Sequence, residues 1–86
     1  MMSSQTEYVL KRIKPIDHRL LKLIIDQGPI WHGKIKRIFG KENGKIMLLR
    51  LRNRGLVSPI RHPNGYYQYD ISKLGVEVLE YLKERD

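Results

Sequence analysis

Basic side chains are concentrated in one stretch of this 86-residue chain, between Lys34 and His62. The stretch holds nine lysines and arginines and one acid, Glu42, so its charge of +8 equals the formal net charge of the whole chain. The nine are Lys34, Lys36, Arg37, Lys41, Lys45, Arg50, Arg52, Arg54 and Arg61. Elsewhere the acids and bases balance. Ammonium and guanidinium groups at this density bind phosphates and other anions, which indicates a surface for a polyanion on a neutral scaffold.

No residue pattern typical of a catalytic or metal site accompanies this charge. The chain has no cysteine, which excludes disulfides and cysteine-ligated zinc. His18, His32 and His62 are isolated, and none has a second ligand at metal-site spacing. No glycine-rich phosphate loop follows a predicted strand, and no serine is paired with a histidine and an acid in a recognisable order. We therefore predict a protein that is not an enzyme and that needs neither a metal nor a cofactor.

Length and composition are those of one small folded domain. At 41% hydrophobic and 30% charged residues, the chain is too apolar for a disordered tail and too polar for a membrane protein. Its longest apolar runs are too short to cross a bilayer, and its N-terminus lacks the apolar core of a signal peptide. We expect a cytoplasmic protein with no membrane partner and, because of its basic stretch, one associated with the nucleoid.

The N-terminal segment has the least distinct pattern. We predict residues 1–15 as an extension and residues 16–86 as the folded domain. The apolar side chains of residues 8–13 fit either one side of a short helix or a loose strand, and they either pack on the domain or pair with a second subunit. The next pattern is clearer, because a stripe of leucines and isoleucines predicts a helix over residues 16–27, which a Gly-Pro pair ends.

The second predicted helix spans residues 30–38. Trp31, Ile35 and Ile38 follow helical spacing, which predicts that they share one buried face with the tryptophan as its core anchor. Gly40 suits the left-handed turn that closes such a helix.

A third helix is predicted over residues 44–54, after a connector of residues 41–43. Asn43 is a good N-cap, because its side-chain oxygen can accept a bond from a free N–H of the first turn. Gly55 ends the helix. Two helices of these lengths around a short turn with a glycine are typical of a helix-turn-helix unit.

A β-hairpin is predicted after the third helix, with strands over residues 56–61 and 66–71 around an Asn-Gly turn. Pro59 marks the first strand as an edge strand. In the second strand, alternation places Tyr67 and Tyr69 in the core and leaves the first of its three tyrosines free for contact with a ligand.

The order helix, helix, turn, helix, hairpin, helix resembles a winged helix-turn-helix domain. In MarR-like transcription regulators the recognition helix ends in a leucine, three polar residues and Gly-Leu-Val, which is similar to Leu51-Arg52-Asn53-Arg54-Gly55-Leu56-Val57. The join between wing and final helix in that group resembles Tyr69-Asp70-Ile71-Ser72-Lys73-Leu74-Gly75, with the serine as N-cap. The resemblance covers residues 16–83. It implies a mainly α fold with a small β-hairpin (α+β): three helices, a two-stranded wing and a C-terminal helix.

In that family the third helix enters the DNA major groove, and the wing touches the backbone or the minor groove. The resemblance therefore implies a recognition helix at about residues 44–54 and a wing at residues 57–71. It implies core positions for Met47, Leu48 and Leu51. Together with the charge pattern it implies DNA contacts for Lys34, Lys41, Asn43, Lys45, Ile46, Leu49, Arg50, Arg61, His62 and Asn64.

Within this set, Ile46 and Leu49 depart from the family, which more often has polar residues on the face that meets the bases. These two side chains are suited either to thymine methyl groups or to a partner protein. Lys45 and Arg50 are expected to reach a base edge or a flanking phosphate, because such cations bind both.

The function predicted from these features is that of a sequence-specific transcriptional regulator that binds double-stranded DNA. Two-fold dimers are the usual solution for such small domains, so we expect a homodimer through the N-terminal segment, the first helix and the last helix. No ligand pocket is evident, and no small-molecule effector is expected. Two alternatives stay open: a protein-interaction winged-helix module in a larger complex, and a sequence-tolerant chromatin or plasmid protein that binds DNA.

Overall fold

Helices dominate the chain, and a small antiparallel sheet accompanies them. The computed structural model describes residues 4–85; residues 1–3 of the predicted extension and Asp86 lie outside the described residues. In chain order the elements are α1 (Ser4–Leu10), α2 (Pro15–Gln27), β1 (Ile30–Trp31), α3 (His32–Phe39), α4 (Lys41–Asn53), β2 (Val57–Arg61), β3 (Tyr67–Ile71) and α5 (Lys73–Arg85). None of the helices in this part of the chain is long and apolar enough to cross a membrane. The architecture is the winged-helix (α+β) fold class that the sequence predicts.

Among the described residues, the N-terminal segment contains one helix, α1. Helix α1 packs against α5, and its side chains Thr6, Val9 and Leu10 are buried. Tyr8 lies outside with 55% of its surface exposed, and the guanidinium carbon of Arg12 is 3.7 Å from its ring centroid. Of the two alternatives for residues 8–13, the helix is correct as far as Leu10, where α1 ends, and the buried face of α1 belongs to the core of the domain.

The largest departure from the predicted elements is at Ile30 and Trp31, which form a strand instead of the first turn of a helix. They pair antiparallel with Tyr69 and Gln68, so β3 is the centre of a three-stranded sheet in the order β1-β3-β2. Successive strand residues point to opposite faces, and Ile30 takes the buried face. The prediction of Trp31 as a core anchor is consequently wrong, since 41% of its surface is exposed.

Helices α3 and α4 are joined by a single residue, Gly40, whose φ of +97° is suited to glycine. The predicted connector of residues 41–43 is the first turn of α4, because this one glycine is enough to turn the chain, and Asn43 lies inside the helix rather than at its N-cap. The two helices approach closely at Gly44, where an added Cβ would lie 3.2 Å from the Lys36 Cα. Packing of the two helices therefore explains a glycine within α4.

The core is built from every helix and from the sheet. Its fully buried apolar side chains include Leu20, Leu21, Ile24, Ile35, Met47, Leu51, Leu56 and Val78. The core positions predicted for Met47, Leu48 and Leu51 are confirmed. Of the three residues predicted to share the buried face of the second helix, only Ile35 is buried. Trp31 belongs to strand β1 instead, and Ile38, in the last turn of α3, is 46% exposed.

The wing follows the predicted hairpin. Strand β2 pairs with β3 along its whole length and lies at the edge of the sheet, as Pro59 indicates. The turn closes through a bond from the His62 N–H to the Tyr66 carbonyl oxygen at 2.9 Å, and within the turn only Gly65 has a positive φ. Tyr69 is buried, as predicted.

The wing is fastened to α5 by Ser72. Its Oγ accepts a bond from the Gly75 N–H at 3.0 Å, which is the predicted N-cap, and donates to the Gly55 carbonyl oxygen at 2.6 Å. The Ser72 N–H donates to the Leu56 carbonyl oxygen at 2.9 Å. These bonds hold the end of α4, the wing and the start of α5 together.

We expect Gly75→Ala to lower the free energy of unfolding by about 1–3 kcal/mol, the usual cost of overpacking. The added Cβ would lie 2.5 Å from the Leu56 carbonyl oxygen and 2.6 Å from the Ile71 Cγ1. Urea unfolding followed by circular dichroism measures the change. The matched control is Gly33→Ala in α3, where nothing lies within 4 Å of the added Cβ and alanine should raise helix stability slightly. Equal stability of the two variants would contradict the packing at this join.

Candidate nucleic-acid interface

The outward side of α4 bears cationic and apolar side chains. Lys45, Leu49 and Arg52 lie on successive turns of one side of the helix. All three are exposed, and together with His32 and Tyr69 they line a groove between α4 and the sheet. The groove therefore has an apolar centre with a cation on either side.

A second groove lies between the start of α3 and the wing. Its lining residues are Trp31, His32, Gly33, Lys34, Arg37, Asn64, Tyr66 and Tyr67. Because His32 lines both grooves, the two adjoin. Four cations border them, and we call Lys34, Arg37, Lys45 and Arg52 the basic surface. Side chains from α3 and α4 are thus brought together beside the wing.

The wing is held by ring and amide contacts. The rings of Trp31 and His62 are tilted against each other with their centroids 4.8 Å apart, and the His62 Nε2 is 2.8 Å from the Gln68 Oε1. In the turn, the Asn64 Oδ1 accepts a bond from the Tyr66 N–H at 3.0 Å. Tyr66 itself is 67% exposed. The contact between Trp31 and His62 thus holds the wing beside the start of α3.

Arg50 binds Asp17 of α2. Its Nε donates to the Asp17 Oδ2 at 3.1 Å and its Nη2 donates to the Oδ1, while the Lys14 N–H donates to the Oδ2 at 3.0 Å. The Asp17 side chain is 0% exposed and the Arg50 side chain only 18%. A buried carboxylate needs such a partner. The structure therefore commits the Arg50 guanidinium to a largely buried ion pair, whereas the sequence predicts that it contacts DNA.

Eight of the ten residues predicted to contact DNA are exposed, and these are Lys34, Lys41, Asn43, Lys45, Ile46, Leu49, Arg61 and Asn64. His62 is half-buried against the tryptophan, and Arg50 is in the interior pair. The predicted set lacks two cations of the basic surface, Arg37 and Arg52. Arg52 follows Lys45 by seven residues, which is two helical turns. This spacing is the sequence signal that puts Arg52 on the same side of α4 as Lys45.

His32 lies where the two grooves meet. Its ring meets the Tyr69 ring edge-on with the centroids 5.6 Å apart, and its Nε2 is buried with no hydrogen-bond partner within residues 4–85. Burial, and to a smaller extent the charge of Lys36, lower the pKa of His32. Burial also raises the pKa of the Tyr69 phenol, against the charge of Arg52. The neutral imidazole is therefore the form that the fold accommodates.

Acid should destabilise the domain through His32. Because the pKa of this imidazole is lower in the folded than in the unfolded chain, the unfolded chain binds the proton first as the pH falls below about 6.5. The stability due to neutral His32 is full above that pH and is lost as the pH falls toward the folded-state pKa. Urea unfolding at about pH 7.5 and about pH 5 should show a larger loss for the parent than for His32→Gln. Equal losses would assign the acid sensitivity to other groups.

The fold recurs in a protein of known class. No protein-family model and no curated protein matches the chain. Among solved structures, the transcriptional regulator Tm0710 from Thermotoga maritima superposes with a TM-score of 0.78 at 26% sequence identity. The likeness covers 95% of this chain and 62% of that one, so the chain spans less than two thirds of the regulator's length. The chain has the fold of a transcriptional regulator.

Proposed function

We propose that this chain is a MarR-like transcriptional regulator that binds double-stranded DNA, with α4 in the major groove and the wing against the backbone or the minor groove. The main support for the proposal is that the two grooves meet at His32. The four cations of the basic surface therefore lie together beside the outward side of α4. The fold is that of a transcriptional regulator. A basic surface on such a fold is typical of a DNA-binding protein.

The length of α4 and its exposed hydrogen-bond donors support its proposed position in the major groove. Its 13 residues span about 20 Å at 1.5 Å per residue, and the major groove of B-DNA admits a helix. Lys45 and Arg52 are exposed and would reach guanine edges or flanking phosphates. Lys41 and Asn43, at the start of the helix, would meet a phosphate beside the free N–H groups there.

The wing and α3 would supply contacts to the DNA backbone. Lys34 and Arg37 border the groove beside the wing, and the Lys34 Nζ donates to the Gln27 Oε1 at 3.0 Å, which keeps the ammonium at the protein surface. Arg61 and Asn64 are exposed on the wing, where they would follow the backbone or enter a narrow minor groove. Contacts of this kind fix the register of a protein on the duplex without reading its sequence.

Two of the residues that the sequence assigns to DNA contact have positioning roles in this proposal. Arg50 neutralises the buried Asp17 and so ties α4 to α2. His62 packs on Trp31 and so ties the wing to the start of α3. Both residues would influence DNA binding by holding the groups that touch the duplex, because contacts with bases need an accurately placed helix.

We also propose that the chain forms a homodimer, which would present two basic surfaces to two half-sites. A groove between α2 and α5 supports this, because Ile25 is 45% exposed there beside Val76 and Leu79. Tyr8 of α1 is exposed as well. Light scattering by the purified chain tests the proposal: a mass of two chains is expected, and the mass of one chain would contradict it.

Duplex binding at a series of salt concentrations tests the proposed function. Fluorescence anisotropy compares a random duplex with genomic duplexes from around the protein's own gene. We expect the logarithm of affinity to fall with the logarithm of salt concentration, with a slope of about 0.9 per phosphate contact. At least one genomic duplex should bind about 1,000-fold more tightly than the random duplex. Lys73→Gln is the control, because this exposed cation lies at the start of α5, outside the basic surface.

The outcomes separate the candidate functions. A steep salt dependence without sequence preference would establish a sequence-tolerant DNA-binding protein in place of a specific regulator. No duplex binding at low salt would exclude both DNA-binding functions. The remaining candidate would then be a protein-interaction module with a winged-helix fold.

A further inference from the structure

Two large apolar side chains are open to solvent on the outward side of α4. Ile46 and Leu49 lie one turn apart and are 56% and 59% exposed. With Arg50, Asn53 and Arg54 they line a shallow depression on the helix. Other residues of α4 supply its core contacts, so folding does not account for this pair. A contiguous exposed apolar patch points to an interaction site, whereas a single exposed apolar side chain does not.

The charges around the pair favour one kind of partner. Lys45 and Arg52 line the groove on one side of Leu49, and Arg54 borders the depression on the other. The acid in the helix's first turn, Glu42, lies about one turn before Ile46. Three cations, Lys45, Arg52 and Arg54, thus border the pair against one acid, and such an excess of positive charge attracts a polyanion and disfavours a cationic protein surface. Charge complementarity therefore favours duplex DNA as the partner that covers the two side chains.

We propose that Ile46 and Leu49 recognise thymines through their C5-methyl groups, so that the target site contains A·T pairs opposite the middle of α4. This inference rests on the proposed DNA-binding function and specifies what its recognition helix reads. The thymine methyl is the apolar group that base pairs present in the major groove. The two residues are about 4.5 Å apart along the helix axis, close to the base-pair step of about 3.4 Å. The pair therefore suits two neighbouring thymines.

Replacement of thymine by deoxyuridine tests the inference, because it removes the methyl group alone and keeps the base pairing. The probe is a duplex selected for tight binding from a random-sequence pool, with each thymine replaced in turn. Burial of one methyl group is worth about fourfold in affinity. We expect two positions to weaken binding about fourfold each and about 16-fold together. The salt slope should not change, because no phosphate contact is lost.

Alanine variants assign the methyl groups to side chains. In Ile46→Ala and in Leu49→Ala, deoxyuridine at the matching position should weaken binding less than about twofold, because the apolar partner is already gone. Both residues are exposed, and circular dichroism with urea unfolding checks that the variants fold. Lys45→Gln is the matched control on the same helix: it should lower the salt slope and keep the fourfold effect of deoxyuridine.

Each other outcome overturns the inference. An unchanged affinity for every deoxyuridine duplex would exclude methyl recognition and leave the proposed DNA-binding function intact. A deoxyuridine effect that persists in both alanine variants would place the methyl contacts on other residues. Failure to select any duplex from the pool would overturn both the inference and the proposed function on which it rests.

Discussion

Arg50→Met is expected to lower the free energy of unfolding by about 3–5 kcal/mol, the usual cost of leaving a buried charge without its partner. The Asp17 side chain would remain at 0% exposure, with the Lys14 N–H as a donor but without its guanidinium partner. A small domain has about 5–15 kcal/mol of stability in total. The substitution therefore removes a large part of it, and urea unfolding followed by circular dichroism measures the loss.

Two further variants show whether the loss comes from the pair. Asp17→Leu combined with Arg50→Met removes both charges and should recover much of the stability, because apolar residues often replace a buried ion pair at little cost. Arg52→Met, exposed on the same helix, should change stability by less than about 0.5 kcal/mol and weaken DNA binding instead. A stable Arg50→Met that binds DNA poorly would contradict the structural role of Arg50 and restore its predicted contact with DNA.

The features that the sequence predicts correctly are local. Gly28, Gly40 and Gly55 end helices, and all three have a positive φ. Ser72 caps α5 through the N–H three residues later. Each of these signals depends on residues within about one turn of the chain, where backbone sterics and a single hydrogen bond determine the structure. The periodic core positions of α4 are local in the same sense, and together these signals are enough for the fold class.

The features that the sequence does not reveal join distant residues. Strand β1 has two residues, which is too short for a periodic pattern, and its partner Tyr69 follows only after α4 and β2. Arg50 pairs with Asp17 from 33 positions away, and by type it is indistinguishable from the other cations of the basic stretch. Charge therefore predicts that an interface exists. Only the packing of α2, α3 and α4 determines which cations lie beside the two grooves and which, like Arg50, are paired within the protein.

The basic surface, and not net charge alone, should determine DNA affinity. Lys45→Gln combined with Arg52→Gln is expected to weaken duplex binding about 100-fold at about 0.1 M salt, on the basis of about 1–3 kcal/mol for each cation that reaches a base. The salt slope should become shallower by about 0.9 for each phosphate contact that is lost. Fluorescence anisotropy at several salt concentrations measures both quantities.

A matched double variant separates the surface from the charge. Lys73→Gln with Lys83→Gln removes two exposed cations from α5, so both double variants lower the formal net charge from +8 by two, to +6. Long-range attraction is screened beyond about 10 Å at 0.1 M salt, so the α5 variant should lose less than about threefold in affinity. Light scattering by both variants distinguishes a change of assembly from a lost contact. Equal loss of affinity in the two double variants would mean that net charge alone determines DNA binding. That result would contradict the proposal that α4 is the recognition helix.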